Sequence, residues 1–164
     1  MIILGIDPGI AKVGWGVISE ASGKYSALDF GCFETHVSAG EDLRLLKINE
    51  FILGLIKKYK PEIVAVEQLF FGANTKTALT VGQARGVIIL TCAQNNIKTV
   101  SYTPLQVKMA LTGYGRAEKK QIQIMVNSLL KLPKKITQDD TADALAVALT
   151  HAFSYKLKSK LLKL

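Results

Sequence analysis

Twice in this chain an apolar run of strand length stops at a carboxylate: residues 1–6 run into Asp7, and residues 62–66 run into Glu67. The first run is closed by the turn-forming Asp7-Pro8-Gly9. The second follows Pro61 and is almost wholly apolar, the pattern of a central parallel strand covered on both faces. In an open α/β sheet, functional groups collect at the carboxyl ends of strands. If these two strands are neighbours, both carboxylates converge on one spot.

The segments between and after them set the rest of the architecture. Residues 13–19 and 25–35 read as two further strands, with Gly23 at the turn, so the first three strands form an antiparallel meander. Leu43, Leu46, Ile48, Phe51, Ile52 and Ile56 recur at helical spacing, which predicts a helix over 41–59. A long helix is expected over 75–94, a strand over 97–102, and helices over 104–111, 117–132 and from 138 to beyond 153. Three antiparallel strands followed by helix-separated strands give an α/β fold with a mixed five-stranded sheet flanked by helices. Residues 1–154 read as one domain, and 155–164, which alternates Lys and Leu, as a basic C-terminal tail.

The chain's 164 residues suffice for one real core, and 49% of them are hydrophobic. A formal charge of +8 and a pI near 9.5 point to a polyanionic partner, nucleic acid rather than a membrane surface. Between residues 98 and 135 stand eight basic residues and one acid, Glu118, so about +7 of that charge lies in one stretch. Cys32 and Cys92 have no CxxC spacing and sit in apolar segments, which reads as buried reduced thiols. The first apolar run is too short for a signal peptide and no stretch has membrane-spanning length, so a soluble cytoplasmic protein is expected.

Asp140 and Asp143 stand at i and i+3 and so share a helix face. With Asp7 and Glu67 they make four carboxylates, a self-repelling set unless cations occupy it. Mg²⁺ prefers oxygen ligands, and a pair of such ions suits phosphodiester hydrolysis, one activating water and the other stabilising the leaving oxygen. Glu67, directly after an apolar run, has little structural reason to stand there, but the other three have plain structural roles open to them. Asp7 could be a turn residue, Asp140 could join Thr137 in a capping box, and Asp143 could be a favourable charge near a helix start. Together the four are far more specific than any one.

Gly5-Ile6-Asp7-Pro8-Gly9 with Gly14 and Gly16, Val66-Glu67-Gln68, Gly82-Gln83-Ala84-Arg85-Gly86, and Asp140-Thr141-Ala142-Asp143-Ala144-Leu145-Ala146 together resemble the RuvC-type Holliday-junction resolvases. The resemblance runs from residue 1 to about 153, in order and at compatible spacing. It implies an RNase H-like fold, a homodimer, and Mg²⁺-dependent paired cuts on opposing strands of a four-way DNA junction during recombination and repair. It places Asp7, Glu67, Asp140 and Asp143 as catalytic metal ligands, with two Mg²⁺ ions per site expected and Mn²⁺ possible. Junction-binding and branch-migration proteins of the RuvA/RuvB type are the implied partners. Members vary at the third ligand position, and here Asp139 competes with Asp140, since Asp139 and Asp143 also share a face at i, i+4.

The resemblance matches a base-contacting aromatic to Phe70, on a loop just after Glu67, where a ring could stack on an unpaired base. The neighbouring Phe71 reads as core. Lys108 and Lys119 match basic positions near the family's active site, and Arg116 lies on a glycine-flanked loop suited to a phosphate backbone. Lys120, Lys131, Lys134 and Lys135 read at least as well as a solvated face. Gly82 and Gly86 allow close helix approach, so their face, with Arg85, reads as packing or dimer contact. His36 and His151 read as loop and helix-surface residues. Actin-like ATPases share the Asp-Pro-Gly opening but need a second nucleotide-binding half that 164 residues cannot supply. A catalytically idle DNA-binding relative and a resolvase-like group acting in RNA processing share the fold; the intact carboxylates and the Gln-Ala-Arg-Gly block favour the resolvase.

Overall fold

The computed structural model describes residues 1–68, 75–132, 136 and 138–161, with side chains described outside 75–77 and 156–161. Five strands and five helices follow in the expected order: β1 (Ile2–Asp7), β2 (Lys12–Ala21), β3 (Lys24–Glu34), α1 (Glu41–Tyr59), β4 (Ile63–Glu67), α2 (Thr75–Gln94), β5 (Lys98–Tyr102), α3 (Pro104–Thr112), α4 (Lys119–Leu130) and α5 (Asp139–Leu161). They form one sheet in the order β3-β2-β1-β4-β5. The first three strands are antiparallel neighbours, whereas β4 runs parallel to both β1 and β5. The two carboxylate-terminated strands are therefore adjacent, with Ile6 opposite Val66.

Alternation along the strands sorts the core into two layers. Leu4, Ile6, Val64 and Val66 pack with Ile48, Ile52 and Ile56 of α1 and Ala84 and Ile88 of α2. A stacked Phe33–Phe51 pair, centroids 4.2 Å apart, and an edge-on Trp15 close the margin of this layer. Ile3 and Ala65 face the other way, onto Val107 of α3, Ile122 and Val126 of α4 and the alanine-rich face of α5. Each fully buried aliphatic side chain contributes about 1.5–3 kcal/mol of transfer free energy.

Helix α5 lies unusually close to β1 and β2 because glycines line their shared face. A Cβ on Gly14 would stand 2.0 Å from the Asp140 carbonyl oxygen, and one on Gly5 would stand 2.1 Å from that of Ala144. No other residue type allows that approach.

Helix α4 begins two residues later than its apolar pattern suggests and ends two earlier. Glu118 and Gln121 form a reciprocal capping box, and Lys131 ends the helix in the left-handed conformation. The proposed Thr137 cap, Phe70, Phe71, Lys134 and Lys135 lie outside the described residues. Two expectations are corrected. Cys92 is buried, but Cys32 is half-exposed on β3. His151 is not a surface residue: it is 6% exposed, and its Nδ1 lies 2.9 Å from the Tyr102 hydroxyl.

Candidate active site

One row of residues crosses the whole sheet at the carboxyl end of β1. The pairings set Cys32 opposite Gly14, Gly14 opposite Asp7, and Tyr102 opposite Glu67. Because side chains alternate, Ile3, Gly5 and Asp7 share a face, as do Ile63, Ala65 and Glu67. That face is the one covered by α5, so both strand-end carboxylates point toward the start of that helix. The first turns of α5 bring Asp140 and Asp143 to the same place from above, and only the bare backbone of Gly14 lets the helix descend that far.

The electrostatics record the crowding. Burial and the charges of Glu67, Asp143 and Asp140 push Asp7 up from 3.8 to about 9. A hydrogen bond to Glu67 adds to the rise at Asp7, and burial and Asp143 raise Glu67 in turn. Burial likewise raises Asp143, against the opposing pull of Lys119. Lys119 Nζ lies 2.9 Å from Asp143 Oδ2 and 3.3 Å from Asp139 Oδ2. Burial would lower its basicity, but the two ion pairs raise it.

Asp140 sits at the edge of the group. Its Oδ2 is 3.9 Å from the Cys32 thiol, and it is the weakest contributor among the carboxylates that act on Asp7. Asp139 turns elsewhere: its Oδ1 accepts a 2.8 Å bond from Gln123 Nε2, and its Oδ2 pairs with Lys119. Of the two candidates for the third acidic position, Asp140 is the one that acts on Asp7.

A cavity of about 190 Å³ opens beside the carboxylates, lined by Glu67, Asp143, Lys108, Lys119, Val107 and Ile122. Two of the four basic or aromatic residues singled out from the sequence therefore share one hollow with two of the acids. Lys108 reaches it from the second turn of α3, which a capping box of Thr103 and Gln106 anchors. Arg116 stands exposed between α3 and α4, beyond Gly113 in its left-handed conformation. Arg85 donates to Ser101 of β5 at 2.8 Å, across the sheet edge.

The loop after Asp7 is held by residues that sequence reasoning missed. Thr35, 7% exposed, donates its hydroxyl to the Ile10 carbonyl and its amide to the Ala11 carbonyl. Arg44 Nε in turn donates to the Thr35 hydroxyl at 2.8 Å. Nothing local in the sequence marks this clamp, because it joins β3 and α1 to a loop 25 residues away. The glycine row was legible in principle: Gly5, Gly14 and Gly16 alternate as strand residues do, opposite a helix rich in Ala.

Among the described residues, no three His, Cys, Asp or Glu side chains are grouped closely enough to enclose a metal ion as they stand. Asp143 is drawn to Lys119, and Asp140 to Cys32. The donor chemistry nonetheless fits a hard divalent cation. Every candidate ligand is a carboxylate oxygen, and their mutual repulsion is what a cation relieves.

A family profile described as Crossover junction endodeoxyribonuclease RuvC matches residues 3–151. The protein of that name from Caldicellulosiruptor saccharolyticus is 53% identical over 155 residues, spanning 94% of this chain and 93% of its own. The one from Desulforamulus reducens is 52% identical over 152 residues, covering 93% of each chain. Among solved structures, Thermus thermophilus RuvC in complex with a Holliday junction substrate superposes with a TM-score of 0.91 at 34% identity, over 96% of both chains.

Proposed function

The chain belongs to the RuvC family, whose fold is RNase H-like, and from that membership we propose how its own residues do the family's work. It is a crossover junction endodeoxyribonuclease that acts on four-way Holliday junctions. Our reading is that Asp7, Glu67, Asp140 and Asp143 hold divalent metal, that Lys108 and Lys119 engage the phosphate at the cut, and that Arg116 and Phe70 extend the contact to backbone and base. The observation that carries this is the cluster of half-buried carboxylates beside a hollow walled by two lysines.

When bound, the metal supplies an activated water and charge stabilisation for the leaving oxygen. Two Mg²⁺ ions, with Mn²⁺ as a substitute, agree with four ligands that carry only oxygen donors. The chain's own residues do the rest. Asp7 and Glu67 are both raised, so a cation that binds them favours their ionised forms. Lys119 and Lys108 offer ammonium groups to an incoming phosphate, where a charge-assisted contact is stronger than a neutral one. Val107, Ile122 and Val147 form the apolar part of the hollow's wall.

Paired cuts on opposing strands call for two active sites, hence a homodimer. An exposed stripe on α2 supports it: Leu79 and Leu90 are 68% and 56% exposed, with Gly82 and Gly86 between them on the same face. Residues 1–154 serve as the nuclease unit and 155–164 as a basic tail. No described helix is long and apolar enough to cross a membrane, in keeping with a cytoplasmic enzyme that works with RuvA/RuvB-type proteins.

The decisive experiment compares cleavage of a mobile four-way junction with that of linear duplex, with and without Mg²⁺, for the parent and Glu67→Gln. Junction-selective, metal-dependent cutting that Glu67→Gln abolishes without loss of binding supports the reading; retained cutting sinks it. Phe70→Ala should keep the fold and lose cleavage. Junction affinity should fall steeply with salt if the basic stretch meets phosphates, and a flat dependence would remove Arg116 and the lysines from the interface.

A further inference from the structure

Asp139 is acidic, adjoins the catalytic cluster, and yet does not face it. Its two oxygens are both spoken for, one by Gln123 Nε2 at 2.8 Å and the other by Lys119 Nζ at 3.3 Å. Lys119 and Gln123 stand at i and i+4 on α4, and Asp139 and Asp143 stand at i and i+4 on α5. The two pairs interlock, so that the Lys119 ammonium sits between a carboxylate inside the site and a carboxylate outside it. Among the described residues these two are in ion-pair contact with it, and Glu67 feels its charge from farther off. Side-chain exposure follows the same division: 27% for Asp143 and 58% for Asp139.

We propose that Asp139 is a positioning residue that acts through Lys119. The Lys119 ammonium, 2.9 Å from Asp143 Oδ2, serves as a built-in countercharge to that carboxylate. A divalent ion that takes Asp143 must displace that ammonium. Asp139, oriented by Gln123, gives Lys119 a second anchor 3.3 Å away, so the ammonium leaves Asp143 without leaving the mouth of the hollow. There it remains aimed at an arriving phosphate. Without Asp139, Asp143 is the sole carboxylate of the pair, and the ammonium competes with metal for it. This rests on the metal-centre reading above.

The test is a Mn²⁺ titration of the full, DNA-free chain, with free Mn²⁺ followed by electron paramagnetic resonance. Asp139→Asn should weaken Mn²⁺ binding about threefold to fivefold, the scale of one exposed ion pair. Gln123→Ala keeps the charge but frees its orientation, and should weaken binding about twofold. Lys119→Met removes the competitor and should tighten binding. The deciding comparison is Asp139→Asn placed in the Lys119→Met background, where its effect should vanish if the two act as a unit. Equal weakening in both backgrounds would make Asp139 a mere distant charge and overturn the proposal, as would an unchanged affinity in the single variant. A parent chain that binds no Mn²⁺ would overturn the metal centre itself, and this role with it.

Discussion

Two half-buried aspartates of the same sheet live under opposite regimes. Asp29 on β3 accepts a bond from the Tyr59 hydroxyl and an ion pair from Lys58 at 3.1 Å, and the first of these, followed by the second, holds its carboxyl below the usual range. Asp7 on β1 has acids for neighbours and is pushed up to about 9. A fold selected only for stability would treat both alike, since pairing a carboxylate is chemically easy and Asp29 is the proof. Leaving Asp7 among Glu67, Asp140 and Asp143 costs stability, a cost that the proposed cation site would account for.

The sharpest way to break this comparison is to neutralise each aspartate in turn. Asp7→Asn should lower junction cleavage by roughly 10³-fold or more, as loss of a group that acts in concert with others does. The same change should raise metal-free stability by about 1–2 kcal/mol, because an amide spares the chain the proton uptake that folding demands of a raised carboxyl. Chemical denaturation without metal and a single-turnover cleavage assay read the two effects. A variant that loses both activity and stability would place Asp7 in the framework rather than in the chemistry.

Gly14→Ala probes how the site is assembled. Its methyl would meet the Asp140 carbonyl at 2.0 Å, and neither backbone can yield cheaply. A loss of about 2–3 kcal/mol is expected, in the range of overpacked cores, together with a start of α5 lifted from the sheet. Unaltered stability would mean that α5 docks more loosely than its glycine row indicates.

The strand-end carboxylates were legible because an acid after four or five apolar residues has few other reasons to exist. Strand and helix positions followed from periodicity, with errors of one or two residues at ends that caps decide, as Glu118 and Lys131 do for α4, whereas the adjacency of β1 and β4 was only a condition until the sheet order supplied it. Other features were not legible. The Asp-x-x-Asp spacing favours Asp140 over Asp139 without deciding between them, and the side chains of Gln123 and Lys119, some twenty residues away, are what turn Asp139 aside. Cys32 read as core because its segment is apolar, but its register opposite Gly14 sets it beside Asp140. His151 read as surface because a lone histidine gives no hint of the tyrosine across the sheet that shelters it.

Thr35→Val separates the loop clamp from the acids it steadies. The change keeps the shape but leaves the Ile10 carbonyl without its hydroxyl donor and Arg44 without its acceptor. A buried partner lost in this way costs about 1–2 kcal/mol. The cleavage rate should fall with it while junction affinity holds, since the loop follows Asp7 directly.

Dependence on pH gives the finest resolution between the two aspartates, because their linkages have opposite signs. A carboxyl raised in the folded state favours folding most below its unfolded value, and that advantage disappears as pH climbs through the folded one. For Asp7 the window runs from 3.8 to about 9, so metal-free protein should lose stability steadily from pH 5 to pH 9. Asp29 is lowered, so its contribution is full above 3.8 and fades only in acid. Asp7→Asn should flatten the alkaline decline and leave the acid limb, whereas Asp29→Asn should do the reverse and cost only about 0.5–1 kcal/mol at neutral pH. Saturating Mg²⁺ should erase the alkaline decline in the parent, because loading the site favours the ionised forms of Asp7 and Glu67. A decline that survives in Asp7→Asn would mean that Glu67 or Asp143, not Asp7, carries the burden of the unfilled site.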